Sequence, residues 1–265
     1  MKLTKSLQQI GFVLLTLVFF VCAWQSIVWI WKIPPFILPS PSQVLQAAIK
    51  ERETLLKATA TTGLTAFAAL KCSMLLGSTI AILFSLSSIL RKSLYPYAVF
   101  LQTVPIVAIA PLLIVWSGQN RRTVILVAMI VSLFPIISNV TAGLITVDAN
   151  LRDLFRLSGA TRFQTLTKLS IPSAIGNLIL GSRVSAGLSV IGTIIGEFYV
   201  GKMPNSWSGL GTIITTWNTT LRTADVIAAV ITSTLVGLCM LGWVNLLSKT
   251  ILKRWTSNVG FESGA

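Results

Sequence analysis

Long runs without a charged side chain recur along this chain. They are Leu7–Trp31, Cys72–Leu90, Ser93–Asn120, Thr123–Val147 and Val226–Ser248, and a sixth, Ser173–Gly196, carries only Arg183. Each is close to or longer than the roughly 20 apolar residues that cross a bilayer as a helix. The pattern predicts an all-α integral membrane protein with about six spans. Between the first two runs, "IPPFILPSPSQVLQAAIKERETLLK" carries Pro34, Pro35, Pro39 and Pro41, which forbid a continuous helix. Ser42 offers an N-cap, and Val44, Leu45, Ala48 and Ile49 recur at helical spacing. The expected organisation is one membrane domain over 1–265. It comprises a first span at 7–31, an external arm and amphipathic helix at 32–57, a core of five spans at 58–250 and a cytoplasmic tail at 251–265. A cytoplasmic loop at 148–172 lies within that core.

Composition agrees with this reading. The chain is 54% hydrophobic and 11% charged, where a soluble domain carries about a quarter charged residues. Lys2 and Lys5 precede an apolar run too long for a secretory signal, with no small-residue cleavage site after it, so the first span is expected to be retained. The formal net charge of +14 could suggest nucleic acid, but the basic residues sit in short segments between spans, where they set orientation. Nucleic acid is therefore not an expected partner; the lipid bilayer is. With the N-terminus in the cytoplasm, the inner segments hold Lys2, Lys5, Arg91, Lys92, Arg152, Arg156, Arg162, Lys168, Lys249, Lys253 and Arg254. They outnumber the outer basic residues modestly, which predicts both termini in the cytoplasm, with the spans in a cytoplasmic membrane.

Candidate chemistry is sparse. There is no histidine, so the commonest catalytic base is absent. Cys22, Cys72 and Cys239 lie inside apolar runs without metal-ligand spacing and read as small packing residues. No catalytic or metal-ligating residue is assigned. Pro105, Pro111 and Pro135 fall inside spans, and two readings stay open for them: kinks filled by packing, or a broken helix lining a pathway. Gly192 and Gly196 form a small-xxx-small step suited to close helix contact. Lys71, Arg183 and Glu197 are ionisable residues in or near spans, where a structural role competes with one on a transport path. Gln102, Thr103, Asn139 and Glu197 are the candidate path residues.

One segment, "LRDLFRLSGATRFQTLTKLSIP" (Leu151–Pro172), interrupts the apolar runs with five charges. Asp148 can cap a helix through Phe155, Gly159 stands where a left-handed residue would end it, a second helix begins near Thr161, and Pro172 is expected to close the segment before the fifth span. Phe163, Leu166 and Leu169 repeat at three-residue steps, giving this second helix an apolar ridge.

This segment resembles the cytoplasmic loop of ATP-binding-cassette (ABC) importer permeases, written EAA, three residues, G, nine residues, I-x-L-P. Asp153-Leu154-Phe155 takes the EAA place, keeping only an acid for Glu, and Gly159 and Leu169-Ser170-Ile171-Pro172 follow in register. "LPSPSQVLQA", "TVPIVAIAPLLIVWSG", "LFPIISNVTAGLITVD" and "SGLGTII" are similar, in order, to segments of permeases for nitrate, bicarbonate, taurine and alkanesulfonates, over about residues 35–250.

The resemblance implies a type I ABC importer permease fold with a coupling helix between spans four and five. It implies a pair of permease subunits, by default a homodimer, with two cytoplasmic ABC ATPase subunits and an external or periplasmic solute-binding protein. Asp153, Gly159, Ala160, Thr161, Arg162, Phe163, Gln164 and Pro172 would couple to the ATPase. No G-x-x-x-x-G-K-[ST] motif occurs, so ATP would be used by the partner ATPase, with no cofactor bound by this chain and no enzymatic activity of its own. The competing class is an ion-gradient-driven secondary transporter, which would show internal repeats and mid-membrane carboxylates. No convincing repeat relates the two halves.

Overall fold

The computed structural model describes residues 2–201 and 208–256, with side chains for 11–201 and 208–250. The described residues form helices joined by short turns. These are α1 (Lys2–Ile30), α2 (Pro41–Lys50), α3 (Arg52–Leu86), α4 (Ser88–Thr103), α5 (Ile106–Ser117), α6 (Arg121–Ile145), α7 (Ala149–Leu157), α8 (Arg162–Thr165), α9 (Ile171–Val200), α10 (Leu210–Thr219) and α11 (Thr223–Thr256), with a π-helical turn, Leu166–Ser170, between α8 and α9. Five helical stretches are long and apolar enough to span a membrane, and six if the bent pair α4–α5 counts as one. The first span stands apart from the others: most of Gly11–Ile30 is exposed, and Trp24 packs against the core.

The heart of the fold is the trio α3, α6 and α9. On α3, Ala69, Ser73, Gly77 and Ala81 recur every fourth residue, and all are buried. A Cβ added to Gly77 would sit 2.8 Å from Ile136 Cγ2, and the Ser73 hydroxyl lies 2.7 Å from that of Ser132. Helices α6 and α9 run antiparallel in constant register. Gly196 meets Val124, Gly192 meets Ala128, Gly181 meets Pro135 and Asn139, and Gly143 meets Asn177. Ser185 Oγ donates to the Ser132 carbonyl at 2.6 Å, so the backbones nearly touch. Small residues permit that approach where lipid supplies no hydrophobic drive. The Gly192–Gly196 step is therefore a packing seam.

The observed helices depart from expectation in several places. Helix α2 begins two residues early, capped by Ser40 instead of Ser42. The Ser40 hydroxyl accepts from Gln43 N, Gln43 Oε1 accepts from Ser40 N at 2.9 Å, and Pro41 opens the helix. The S-x-x-Q spacing and a proline at the first helical position carried that signal. Helix α3 starts at Arg52, six residues before the expected start of the core at 58, and takes in the charged Arg52, Glu53 and Lys57 ahead of the uncharged run from Cys72. At ~1.5 Å per residue α3 is about 52 Å long, well over the ~30 Å hydrocarbon core. The third apolar run is broken: α4 and α5 meet at a 100° bend. Val104 before Pro105 is extended at ψ 126°, the conformation a following proline imposes. At Pro111 and Pro135 the helix continues. A helix between the last two spans, α10, was not expected at all. Cys22, Cys72 and Cys239 are exposed; Cys72 and Cys239 each sit one residue from a buried neighbour, Ser73 and Met240, so the helical pitch turns them outward. Of the expected tail, 251–256 continue α11, and 257–265 lie outside the described residues.

At the end of the bundle opposite α7 and α8, Arg222 ties two junctions together. Its Nη2 lies 2.6 Å from Glu51 Oε1 and its Nε 2.9 Å from Asp225 Oδ2. Hydrogen bonding from Arg222 holds the Glu51 carboxyl below its ordinary 4.5, and the two carboxylates, Asp225 first, raise the Arg222 guanidinium.

Two predictions follow from these contacts. Gly192→Ala, whose Cβ would lie 2.7 Å from Ala128 Cα, should lower thermal stability in detergent by about 1–3 kcal/mol. Gly187→Ala, with nothing within 4 Å, should be neutral or gain up to ~1 kcal/mol from helix propensity. Equal Tm values for the two variants would contradict the seam. The Glu51 carboxylate has its pKa depressed on folding, so its stabilisation is complete above 4.5 and is lost as pH falls below it. Arg222→Gln should cost up to ~1 kcal/mol at pH 7, small because the pair is partly exposed, and should flatten the loss of Tm on acidification.

Candidate functional site

The loop between α6 and α9 folds into a helix–turn–helix knob. Asp148 Oδ1 accepts from Asn150 N at 2.8 Å and opens α7. After Leu157 the chain reverses at Gly159, whose φ is +71°. Gly159 N donates to Arg156 O at 3.1 Å and Ala160 N to Phe155 O at 3.0 Å, the paired bonds of a left-handed helix stop. Thr161 then caps α8: its hydroxyl accepts from Gln164 N at 3.2 Å, and Gln164 Oε1 accepts from Thr161 N at 2.8 Å. Thr161 and Gln164 thus define the start of the second helix.

Pro172 does not end that helix. The chain passes from α8 through the π-helical turn straight into α9, with Pro172 in the first turn of α9. Proline lacks the N–H for its own turn and crowds the carbonyl four residues back. The wider turn Leu166–Ser170, closed by Ile171 N donating to Leu166 O, accommodates it. The apolar ridge divides accordingly. Leu166 packs with Ala81, Ile136, Val140, Leu144 and Ala174, and Leu169 is also buried. Phe163 is 73% exposed, as are much of Leu154 (56%) and Leu157 (86%). Asp153 and Arg162 are exposed too. The knob is anchored at its root by leucines and presents apolar side chains at its tip.

The candidate path residues lie at different places in the bundle. Gln102 and Thr103 are exposed in the last turn of α4, just before the bend, with Thr103 Oγ1 donating to Phe100 O at 2.8 Å. Asn139 is half-buried on α6, its Nδ2 donating to Pro135 O at 2.8 Å. The α6–α9 register sets Asn139 and Glu197 about 24 Å apart along the bundle. The other two charges within spans also have partners: Lys71 Nζ lies 4.5 Å over the Phe67 ring, and Arg183 Nη2 donates to Ser248 Oγ at 3.2 Å.

Glu197 is 2% exposed and sits where α3, α9 and α10 meet. Thr62 Oγ1 donates to both carboxyl oxygens, at 3.0 and 2.9 Å, and accepts from Leu210 N at 2.8 Å. Gly211 N donates to Glu197 Oε2 at 2.9 Å. The Glu197 carboxylate and the Thr62 hydroxyl thus each satisfy one open N–H group at the start of α10. A Cβ on Gly209 would overlap this carboxylate, and one on Gly211 would crowd Glu197 Cβ. The "SGLG" sequence, Ser208 to Gly211, at the start of α10 is the cradle of a buried acid, a role that no charge or hydropathy pattern announces.

A sequence profile described as "Binding-protein-dependent transport system inner membrane component" matches residues 73–253, well over half of the chain. The chain belongs to this family. Among its relatives, the formylaminopyrimidine transport permease protein ThiX of Halalkalibacterium halodurans is 31% identical over 62% of this chain and 66% of its own. The riboflavin transport system permease protein RibX of Chloroflexus aurantiacus is 30% identical over 64% and 61%. This chain thus spans somewhat less than two thirds of these curated relatives. A solved structure of an amino acid ABC transporter shares the fold, with a TM-score of 0.59 at 17% identity, over 77% of this chain and 97% of that one.

In this chain, Glu197→Gln would turn an amide donor toward the Thr62 hydroxyl or the Gly211 N–H. The expected cost is about 1–3 kcal/mol. Gly209→Ala should cost a similar amount by displacing the carboxylate. Tm in detergent, with limited proteolysis between Val200 and α10, checks both; unchanged values would show that α10 holds without its cap.

Proposed function

We propose that this chain is the permease subunit of a type I ABC importer. It forms part of the translocation path for a small solute delivered by an external binding protein and is driven by a separate cytoplasmic ATPase. The observation that carries the reading is the knob: a rigid turn built on Gly159, with exposed Leu154, Leu157 and Phe163 at its tip and Leu166 and Leu169 at its root. Exposed side chains of this size are unusual on a charged loop, and burying each in a partner groove would contribute roughly 1.5–3 kcal/mol. Ala160 to Gln164 are the proposed contact with the ATPase, and Asp153 and Pro172 hold the shape on either side. Closure of the ATPase pair on ATP would push this lever, and the spans would exchange inward-open and outward-open arrangements.

Within the spans, Gln102 and Thr103 are the best placed to face the solute, because they are exposed beside the 100° bend. A second permease copy, by default identical, completes the path. Asn139 and Glu197 are proposed to line it only in a rearranged state, since Asn139 bonds its own helix and Glu197 bonds Thr62 and α10 in this one. The substrate class stays at small solutes, because the relatives named above carry different ones. The termini and the knob are proposed to face the cytoplasm of a bacterial cell.

The test is coupling. The ATPase subunit should co-purify with this chain in mild detergent, and uptake into proteoliposomes should stop when that ATPase is catalytically dead. Gly159→Val places a β-branched residue at φ +71°, a conformation costing about 1–2 kcal/mol. ATP hydrolysis should continue while uptake falls by at least about tenfold. Uptake that survives the dead ATPase would instead favour a gradient-driven carrier.

A further inference from the structure

Beside the knob, where α3 and α6 end and α4 begins, lies an open cavity of about 890 Å³. Arg91, Arg152, Arg156 and Arg162 all line it, together with Leu86 and Ile145, the last residues of α3 and α6. No aspartate or glutamate is among its lining residues. Arg152 Nη2 donates to Ile145 O at 3.2 Å, which holds its guanidinium across the end of α6. Four arginines around one space concentrate like charge there, which an anion among them would offset.

A second cavity of about 390 Å³ continues from the first, sharing Arg91 and Ile145. It runs between α4 and α6 past Tyr95, Ser138 and Thr141, and Lys92 stands at its mouth. Tyr95 is one turn along α4 from Arg91, and Thr141 is one turn into α6 from Ile145, an offset of about 6 Å along each helix. Tyr95 and Ser138 bond each other at 3.0 Å. Thr141 is 3% exposed, and its hydroxyl has no hydrogen-bond partner among the described residues. A buried, unbonded hydroxyl is costly and marks a place where an acceptor belongs.

We propose that the two cavities together bind an anionic phospholipid. Its phosphate sits among Arg91, Arg152, Arg156 and Arg162, and its glycerol ester reaches the Thr141 hydroxyl between α4 and α6. Basic pockets between spans at the membrane interface suit anionic headgroups, and the planar guanidinium fork matches phosphate oxygens. A soluble anion would use the arginines but leave Thr141 unexplained. An acidic patch on a partner protein would meet the arginines from outside the membrane and could not enter between α4 and α6. The sequence of charge, hydroxyl and apolar wall with increasing depth is that of a phospholipid. A lipid wedged here would touch the ends of α3, α4 and α6 and the knob at once, so its occupancy would bear on how the knob moves.

Native mass spectrometry of the full-length protein, released from detergent with phosphatidylglycerol or phosphatidylcholine, tests this. Phosphatidylglycerol should be retained about tenfold more strongly. Arg91→Gln combined with Arg152→Gln should reduce retention to the phosphatidylcholine level, while Arg122→Gln, at the opposite end of α6, should leave it unchanged. Should the double variant fail to fold, Arg91→Gln alone and Thr141→Val should each weaken phosphatidylglycerol retention in a protein of normal helicity. Excess inorganic phosphate should not displace the lipid. Equal retention of the two lipids, or retention indifferent to all of these variants, would overturn the proposal. So would displacement by phosphate with the same arginine dependence, which would mark a soluble-anion site. Loss of the lipid when the ATPase subunit is added would assign the arginines to that partner instead.

Discussion

The fold depends on how closely α3, α6 and α9 approach one another. Inside a bilayer, helices gain nothing from hiding apolar surface that lipid covers equally well, so association rests on contact and on hydrogen bonds between backbones held near each other. Here the contact is made by Ala69, Ser73, Gly77 and Ala81 on one side and by Gly181, Ser185, Gly192 and Gly196 on the other, with Ala128 and Ser132 between them. Serine hydroxyls donate to carbonyls across the seams, which larger residues would have kept out of reach. The remaining elements are positioned by what they pack against this trio.

At one end the trio anchors the knob. Leu166 is inserted among residues of α3, α6 and α9, and the π-helical turn carries the second helix of the knob into α9 without a break. In the proposed coupling, a push on Phe163 or Ala160 would pass along the chain into α9 and through Leu166 to α3 and α6. A flexible linker at this place would dissipate it. The stop at Gly159 matters for the same reason, because its two hydrogen bonds fix the angle between α7 and α8.

At the other end, polar contacts join the small-residue packing. Glu197 gathers Thr62 and the start of α10, and Arg222 clasps Glu51 and Asp225 across the junctions before α3 and α11. Contacts of this kind are directional, and at the buried Glu197 losing one partner leaves the other unsatisfied. The bundle is thus tied at this end by hydrogen bonds, and at the opposite one the knob is held by apolar anchors.

Much of this was legible in the chain itself. The uncharged runs mark the spans because a charge in hydrocarbon is expensive wherever it falls, and that penalty needs no knowledge of the fold. The Gly159 turn and the Asp148 and Thr161 caps were readable because capping is local chemistry within four residues. The Ser40–Gln43 box was equally local, and the competing Ser42 obscured it. The tertiary structure alone decided the rest. It broke the third run at Pro105 yet let α6 continue past Pro135, turned the cysteines outward, and placed Pro172 inside a continuous helix. It also showed Glu197 as the cap of a helix that hydropathy did not reveal. Those outcomes depend on which atoms from distant segments arrive alongside, and a residue's neighbours in sequence carry no record of its neighbours in space.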